Sequence, residues 1–164
     1  MKQSVLFFVI LFATTSCLKE DDNRSNPRHM SVEQYVALLK SNSFSFWDVP
    51  IFEITDIPEL LKHARNEQKI NINTTPPWSS AFYDTIGVSL GMVILWTIEG
   101  TRLDVDHPSD AMTVVDGADR VVAQSEVADL YERWWSKSNG KTVAQLKEIS
   151  PFEGTNFMWN NVSM

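Results

Sequence analysis

The sequence predicts an all-α fold: a small single domain of about five helices in antiparallel pairs, joined by long loops, with little or no strand. Three observations lead there. Two hydroxyl-x-x-Gln capping boxes, Ser31 with Gln34 and Thr142 with Gln145, each open a stretch of helical apolar spacing. The apolar run from Thr85 to Glu99 is about twice as long as a typical strand. The aromatic stretch from Asn42 to Thr55 has no clean alternation and contains Pro50, which argues against a central strand.

The first helix is expected over residues 32 to 41, where Val32, Tyr35, Val36 and Leu39 fall on one face. A second, short helix should follow Asp56 in "IPELLKHARN". Pro58 and Glu59 stand in its first turn and Lys62, His63 and Arg65 in its last, the charge order that a helix dipole favours. The run from Thr85 to Glu99 reads as a central core helix with Gly87 and Gly91 forming one close-packed face. A polar, turn-rich connection with a short extended piece at Met112 to Val115 leads to Ser125, the expected cap of "EVADLYERWWSK". Asn139-Gly140 closes that helix, Thr142 opens the next, and Ser150-Pro151 stops it. Phe152, Phe157 and Trp159 suggest that the irregular tail lies across the core.

Ahead of this domain, residues 1 to 16 read as a secretory signal peptide: Lys2, an apolar region from Val5 to Ala13, and Thr14-Thr15-Ser16 before Cys17. The apolar region is well short of the roughly 20 residues that a spanning helix needs. Cys17 is the only cysteine, so it has no partner in the chain for a disulfide or a thiolate metal site. A small residue before a cysteine at this place resembles the lipobox of bacterial lipoproteins, with Thr14 where that motif usually has Leu. The resemblance implies that Cys17 is lipidated and that the chain is anchored to the outer membrane, facing the periplasm or the cell surface. Residues 17 to 30 then form a polar tether containing Pro27, and residues 31 to 164 the helical domain. Lys19-Glu20-Asp21-Asp22 resembles the Lys-plus-acidic signal that exports some Bacteroidetes lipoproteins to the surface; a solvated tether is the plainer reading.

The chain has 14 basic and 21 acidic residues and a formal charge of −7. Binding to a phosphate backbone needs clustered Lys and Arg, and no such cluster is apparent, which disfavours nucleic acid as a partner. No cofactor motif is present. The densest ligand-like group is Asp104, Asp106, His107 and Asp110, with Asp116 and Asp119 beyond. Carboxylates at alternating loop positions can converge on Ca²⁺, but Ser109 stands where the EF-hand turn needs Gly. A solvated acidic loop is the simpler reading, and a hydrolytic or metal-dependent site there the alternative. Glu99 and Arg102, three residues apart, are candidates for anion binding or, more simply, for an intrahelical ion pair. Six tryptophans suggest sugar stacking; of these Trp47, Trp78 and Trp159 lie in segments able to expose a ring, while Trp96, Trp134 and Trp135 keep helical core spacing. No Gly-x-Ser-x-Gly elbow is present, and adjacent Asp106 and His107 do not face each other as a dyad. Asp84-Thr85-Ile86 has the form of a Bacteroidetes O-glycosylation triplet, or of a helix cap.

Pro77 with Ser79-Ser80, Leu90-Gly91-Met92 through Leu95-Trp96-Thr97-Ile98-Glu99 to Arg102, and Pro151 to Trp159 carry a further resemblance. Over residues 31 to 160 the chain resembles a group of Bacteroides-type lipoproteins with a domain-of-unknown-function label, DUF4943. That resemblance implies an envelope location and helical character, and it supplies no catalytic residues. The reading that follows is a non-catalytic binding or envelope-accessory module, attached to the membrane through Cys17, with a protein or glycan partner.

Overall fold

A computed structural model describes residues 28–44, 49–72, 87–138 and 140–161. The fold is mainly α: the described residues form five helices and two very short two-stranded ladders. Cys17, Trp47, Trp78 and the Asp84-Thr85-Ile86 triplet lie outside the described residues.

Helix α1 spans Val32–Lys40, one residue short of the expected end. Its capping box closes as the sequence requires: Gln34 N donates to Ser31 Oγ at 3.2 Å, and Ser31 N donates to Gln34 Oε1 at 2.9 Å. Val32, Tyr35, Val36 and Leu39 are buried, with the Tyr35 ring against Phe44 and Phe52. A single 3-10 turn, Ile54–Asp56, precedes α2, Ile57–Leu61, with Pro58 in its first turn. The expected helix was longer. Beyond Leu61 the amides of His63 and Ala64 bond back three residues, to Leu60 and Leu61. The chain thus tightens into turns that bring Ala64 against the core.

Helix α3, Leu90–Leu103, is the centre of the molecule: every residue from Leu90 to Gly100 is buried, and each of the other four helices packs against it. A helix apolar on all sides is stable only when surrounded in this way. It starts later and ends later than the sequence suggested. Ser89 is its N-cap, accepting from Met92 N at 3.4 Å. Gly87 has φ +43° and lies before the helix. The expected Gly87–Gly91 face therefore does not form; Gly91 alone makes the close approach, where a Cβ would stand 2.3 Å from the Ala64 carbonyl oxygen.

Strands β1, Lys69–Ile70, and β2, Val88–Ser89, pair antiparallel with Ile70 opposite Val88. Strands β3, Val114–Val115, and β4, Met158–Trp159, do the same with Val114 opposite Trp159. The second ladder is what draws the tail over the core. Helix α4, Gln124–Ser138, begins one residue before Ser125, so Ser125 lies inside the helix rather than capping it. Gln124 explains the displacement: its side chain accepts from Ser89 Oγ at 2.5 Å and donates to Ala64 O at 2.9 Å, fixing the start of α4 to the start of α3. Helix α5, Val143–Lys147, has the Thr142–Gln145 capping box.

Candidate functional site

The last turn of α3 carries Glu99 and Arg102 inward. Their side chains are only 7% and 6% exposed, and the guanidinium meets the carboxylate through two bonds, Nη2 to Oε1 at 2.5 Å and Nε to Oε2 at 2.9 Å. Arg102 Nη1 donates to the carbonyls of Leu146 and Lys147 at 3.1 and 3.0 Å, supplying donors to the orphan carbonyls at the end of α5. Burial works against the Arg102 charge, and the Glu99 hydrogen bonds and charge more than offset it, raising its pKa. On the other side of Glu99, Tyr131 Oη donates to Oε2 at 2.7 Å and accepts from Trp159 Nε1 at 2.9 Å. Burial first, then the Glu99 charge, holds the Tyr131 proton far above the ordinary phenol range.

The arrangement is a chain of four buried side chains from α3, α4 and β4, Arg102 to Glu99 to Tyr131 to Trp159, whose polar atoms are engaged by one another and by the end of α5. Trp159, expected to be able to expose its ring, is 6% exposed. Pairing of β4 with β3 turns it into the core, beside Tyr131 and Phe152.

The acidic loop has a different construction. Asp104 adopts a left-handed conformation, φ 59°, as the C-cap of α3, and its carboxylate lies 3.5 Å from Lys147 Nζ. Asp106 pairs with Arg28, which also donates to Val49 O at 3.1 Å. Trp96 Nε1 donates to Ser109 Oγ at 2.9 Å, and Ser109 Oγ to Ala111 O at 2.7 Å. The His107 ring meets the Trp96 ring edge-on. These bonds fix the loop onto the core helix. Among the described residues no three His, Cys, Asp or Glu side chains come close enough to hold a metal ion.

Beside the loop lies a small hollow of about 180 Å³, lined by Arg28, Phe52, Thr97, Asp104 and Asp106; two larger cavities lie elsewhere. A cavity of about 470 Å³, mostly apolar, is lined by Met92, Met112, Val114 and Val122 and reaches Gly87, where the described residues stop. A second, of about 450 Å³, sits between the C-terminal half of α4 and the Ser150–Thr155 turn, with Arg133, Lys137 and Lys141 on its walls. Neither was expected from the sequence. The four-residue spacing of those three cations was visible, but the turn that completes the cavity is far along the chain and carries no pattern.

No curated protein and no solved structure matches the chain. Among the described residues no helix is long and apolar enough to cross a membrane. Residues 26–160 match a protein family described as a domain of unknown function, DUF4943, and the chain belongs to that family.

Proposed function

We propose that this chain is a lipoprotein, anchored to the outer membrane through acylated Cys17, whose helical domain is a non-catalytic binding or envelope-accessory module. The observation that carries this is the placement of the lone cysteine directly after an apolar leader and small residues, with polar sequence behind it. Two or more acyl chains suffice for stable attachment, at about 0.8 kcal/mol per buried methylene. The first described residue, Arg28, is bonded to Val49 and Asp106. From Cys17 to Arg28 even a fully extended chain reaches only about 40 Å, so an anchored domain would work close to the bilayer. Four of the acids that a hydrolytic site would call on, Glu99, Asp104, Asp106 and Asp116, are each paired with a cation of the same chain, which supports binding over hydrolysis.

The test is mass spectrometry of the Cys17 peptide from cells expressing the native gene, combined with protease shaving of intact cells. An acylated peptide and a shaved domain are expected for a surface lipoprotein; an acylated peptide and a protected domain indicate the periplasmic face. An unmodified Cys17 overturns the anchor.

A further inference from the structure

Arg133, Lys137 and Lys141 line one cavity of about 450 Å³ in a chain whose formal charge is −7. Arg133 and Lys137 are four residues apart on α4, where like charges repel. The helix dipole favours a cation in the last turn of α4, which accounts for Lys137; Arg133 lies before that turn, and Lys141 beyond the helix. None of the three makes an ion pair among the described residues, although other cations of the chain, such as Arg65 with Asp129 and Glu132, do. Glu153 is the single acid on the cavity wall.

Behind the cations lies Ser138. It is 1% exposed, lines the same cavity, and its hydroxyl is the only buried side-chain polar atom among the described residues without a hydrogen-bond partner. A buried polar group left unmatched is costly and calls for an explanation; a ligand atom entering the cavity supplies one. The walls are held in place: Trp134 Nε1 donates to Ile149 O at 3.0 Å, and Gly154 makes the facing turn at φ +79°. The hydroxyls of Ser150 and Thr155, also on the wall, hold the turn itself: Ser150 Oγ accepts from Phe152 N at 3.1 Å and Thr155 Oγ1 donates to Phe152 O at 2.8 Å.

We propose that this cavity is a binding site for a small anion that presents a phosphate or carboxylate group. Arg133 and Lys137 hold the charged group, Lys141 closes over it, and Ser138 Oγ completes the hydrogen bonding. The inference rests on the reading of the domain as a binding module and names its ligand class; it does not depend on the anchor.

Isothermal titration calorimetry of the purified full chain at low salt tests it, with inorganic phosphate, glucuronate and neutral glucose as probes. Binding of phosphate or glucuronate, but not glucose, is expected, weakening as salt rises. The two anions separate phosphate from carboxylate recognition. The Arg133→Gln, Lys137→Gln double variant should lose at least tenfold in affinity with little change in melting temperature, since both side chains are exposed and relief of their mutual repulsion offsets the lost dipole interaction of Lys137. Ser138→Ala should lose affinity several-fold while melting no lower than the parent. No heat with either anion, or equal affinity in the double variant, overturns the site and leaves the binding-module reading standing. Chemical conversion of a bound probe, followed by NMR, leaves the site standing and overturns the non-catalytic reading.

Discussion

The Tyr131 hydroxyl donates to Glu99 at 2.7 Å in the interior of the molecule, and both residues are buried from solvent. Tyr131 is also the acceptor for Trp159, so one oxygen connects the central helix to the tail. Tyr131→Phe keeps the ring and its contacts with Trp134 and Phe152 but leaves the Trp159 N–H unmatched and removes a bond to a charged acceptor. A loss of about 2–3 kcal/mol is expected, read as a lower urea midpoint at unchanged slope. A loss below about 0.5 kcal/mol would mean that the tail is held by apolar contact alone.

Glu99 and Arg102 should behave as one unit. Removing one partner strands a buried charge, at a cost of about 3–5 kcal/mol. Glu99→Leu and Arg102→Met are therefore each expected to be severe. The double variant should be much less damaging than the sum, with a coupling energy of about 1–3 kcal/mol from a double-mutant cycle. It should still fall short of the parent, because the Leu146 and Lys147 carbonyls lose their donor. Strict additivity would show that the two side chains act separately.

The sequence carries the local part of this fold and little of the long-range part. Ser31 with Gln34 and Thr142 with Gln145 are read correctly because each capping box is complete within four residues. Ser125 misleads because Gln124, one position earlier, is tied to Ser89 and Ala64, both far away in the chain. Gly87 misleads for a related reason: an apolar run gives no sign of where a helix begins, and the cap at Ser89 is decided by the β1–β2 pairing beside it. Glu99 and Arg102 are recognisable as a pair from their spacing. Tyr131 and Trp159, which complete the network, belong to segments whose proximity only the fold creates. Trp159 admits two readings from the sequence: its place in an aromatic tail across the core is what the fold shows, whereas an exposed ring is ruled out by the two-residue ladder that turns it inward.

Stability should fall at alkaline pH. Tyr35 and Tyr131 are both fully buried, and burial is the first cause that raises each pKa above the ordinary value of 10.0. A Glu99 neighbour raises Tyr131 further, whereas a hydrogen bond with Thr97 partly offsets the effect at Tyr35. The unfolded chain therefore releases these protons first as pH rises. Their contribution is complete below about pH 10 and declines above it, by about 1.4 kcal/mol per pH unit for each tyrosine. Urea titrations at stepped alkaline pH should give a steeper decline for the parent than for the Tyr35→Phe, Tyr131→Phe double variant. Equal slopes would place the alkaline transition on other groups.

Gly91 and Gly154 offer a comparison that separates crowding from backbone conformation. At Gly91 the backbone is ordinary helix, but a Cβ would lie 2.3 Å from Ala64 O and 2.0 Å from Gln124 Nε2. Gln124 can swing aside; the Ala64 carbonyl is backbone and cannot move without disturbing the junction of α2 and α3. Gly91→Ala should therefore cost about 1–3 kcal/mol by overpacking, despite the better helix propensity of alanine. At Gly154 nothing stands within 4 Å of the same position, yet φ is +79°. Gly154→Ala is thus expected to cost about 1–2 kcal/mol from the left-handed backbone alone. Chemical denaturation gives both numbers, and a second-site change discriminates their origins. Gln124→Ala removes the closer of the two obstacles at Gly91, so it should recover little of the Gly91→Ala loss if the Ala64 carbonyl is decisive, and most of it if the clash is with the amide side chain.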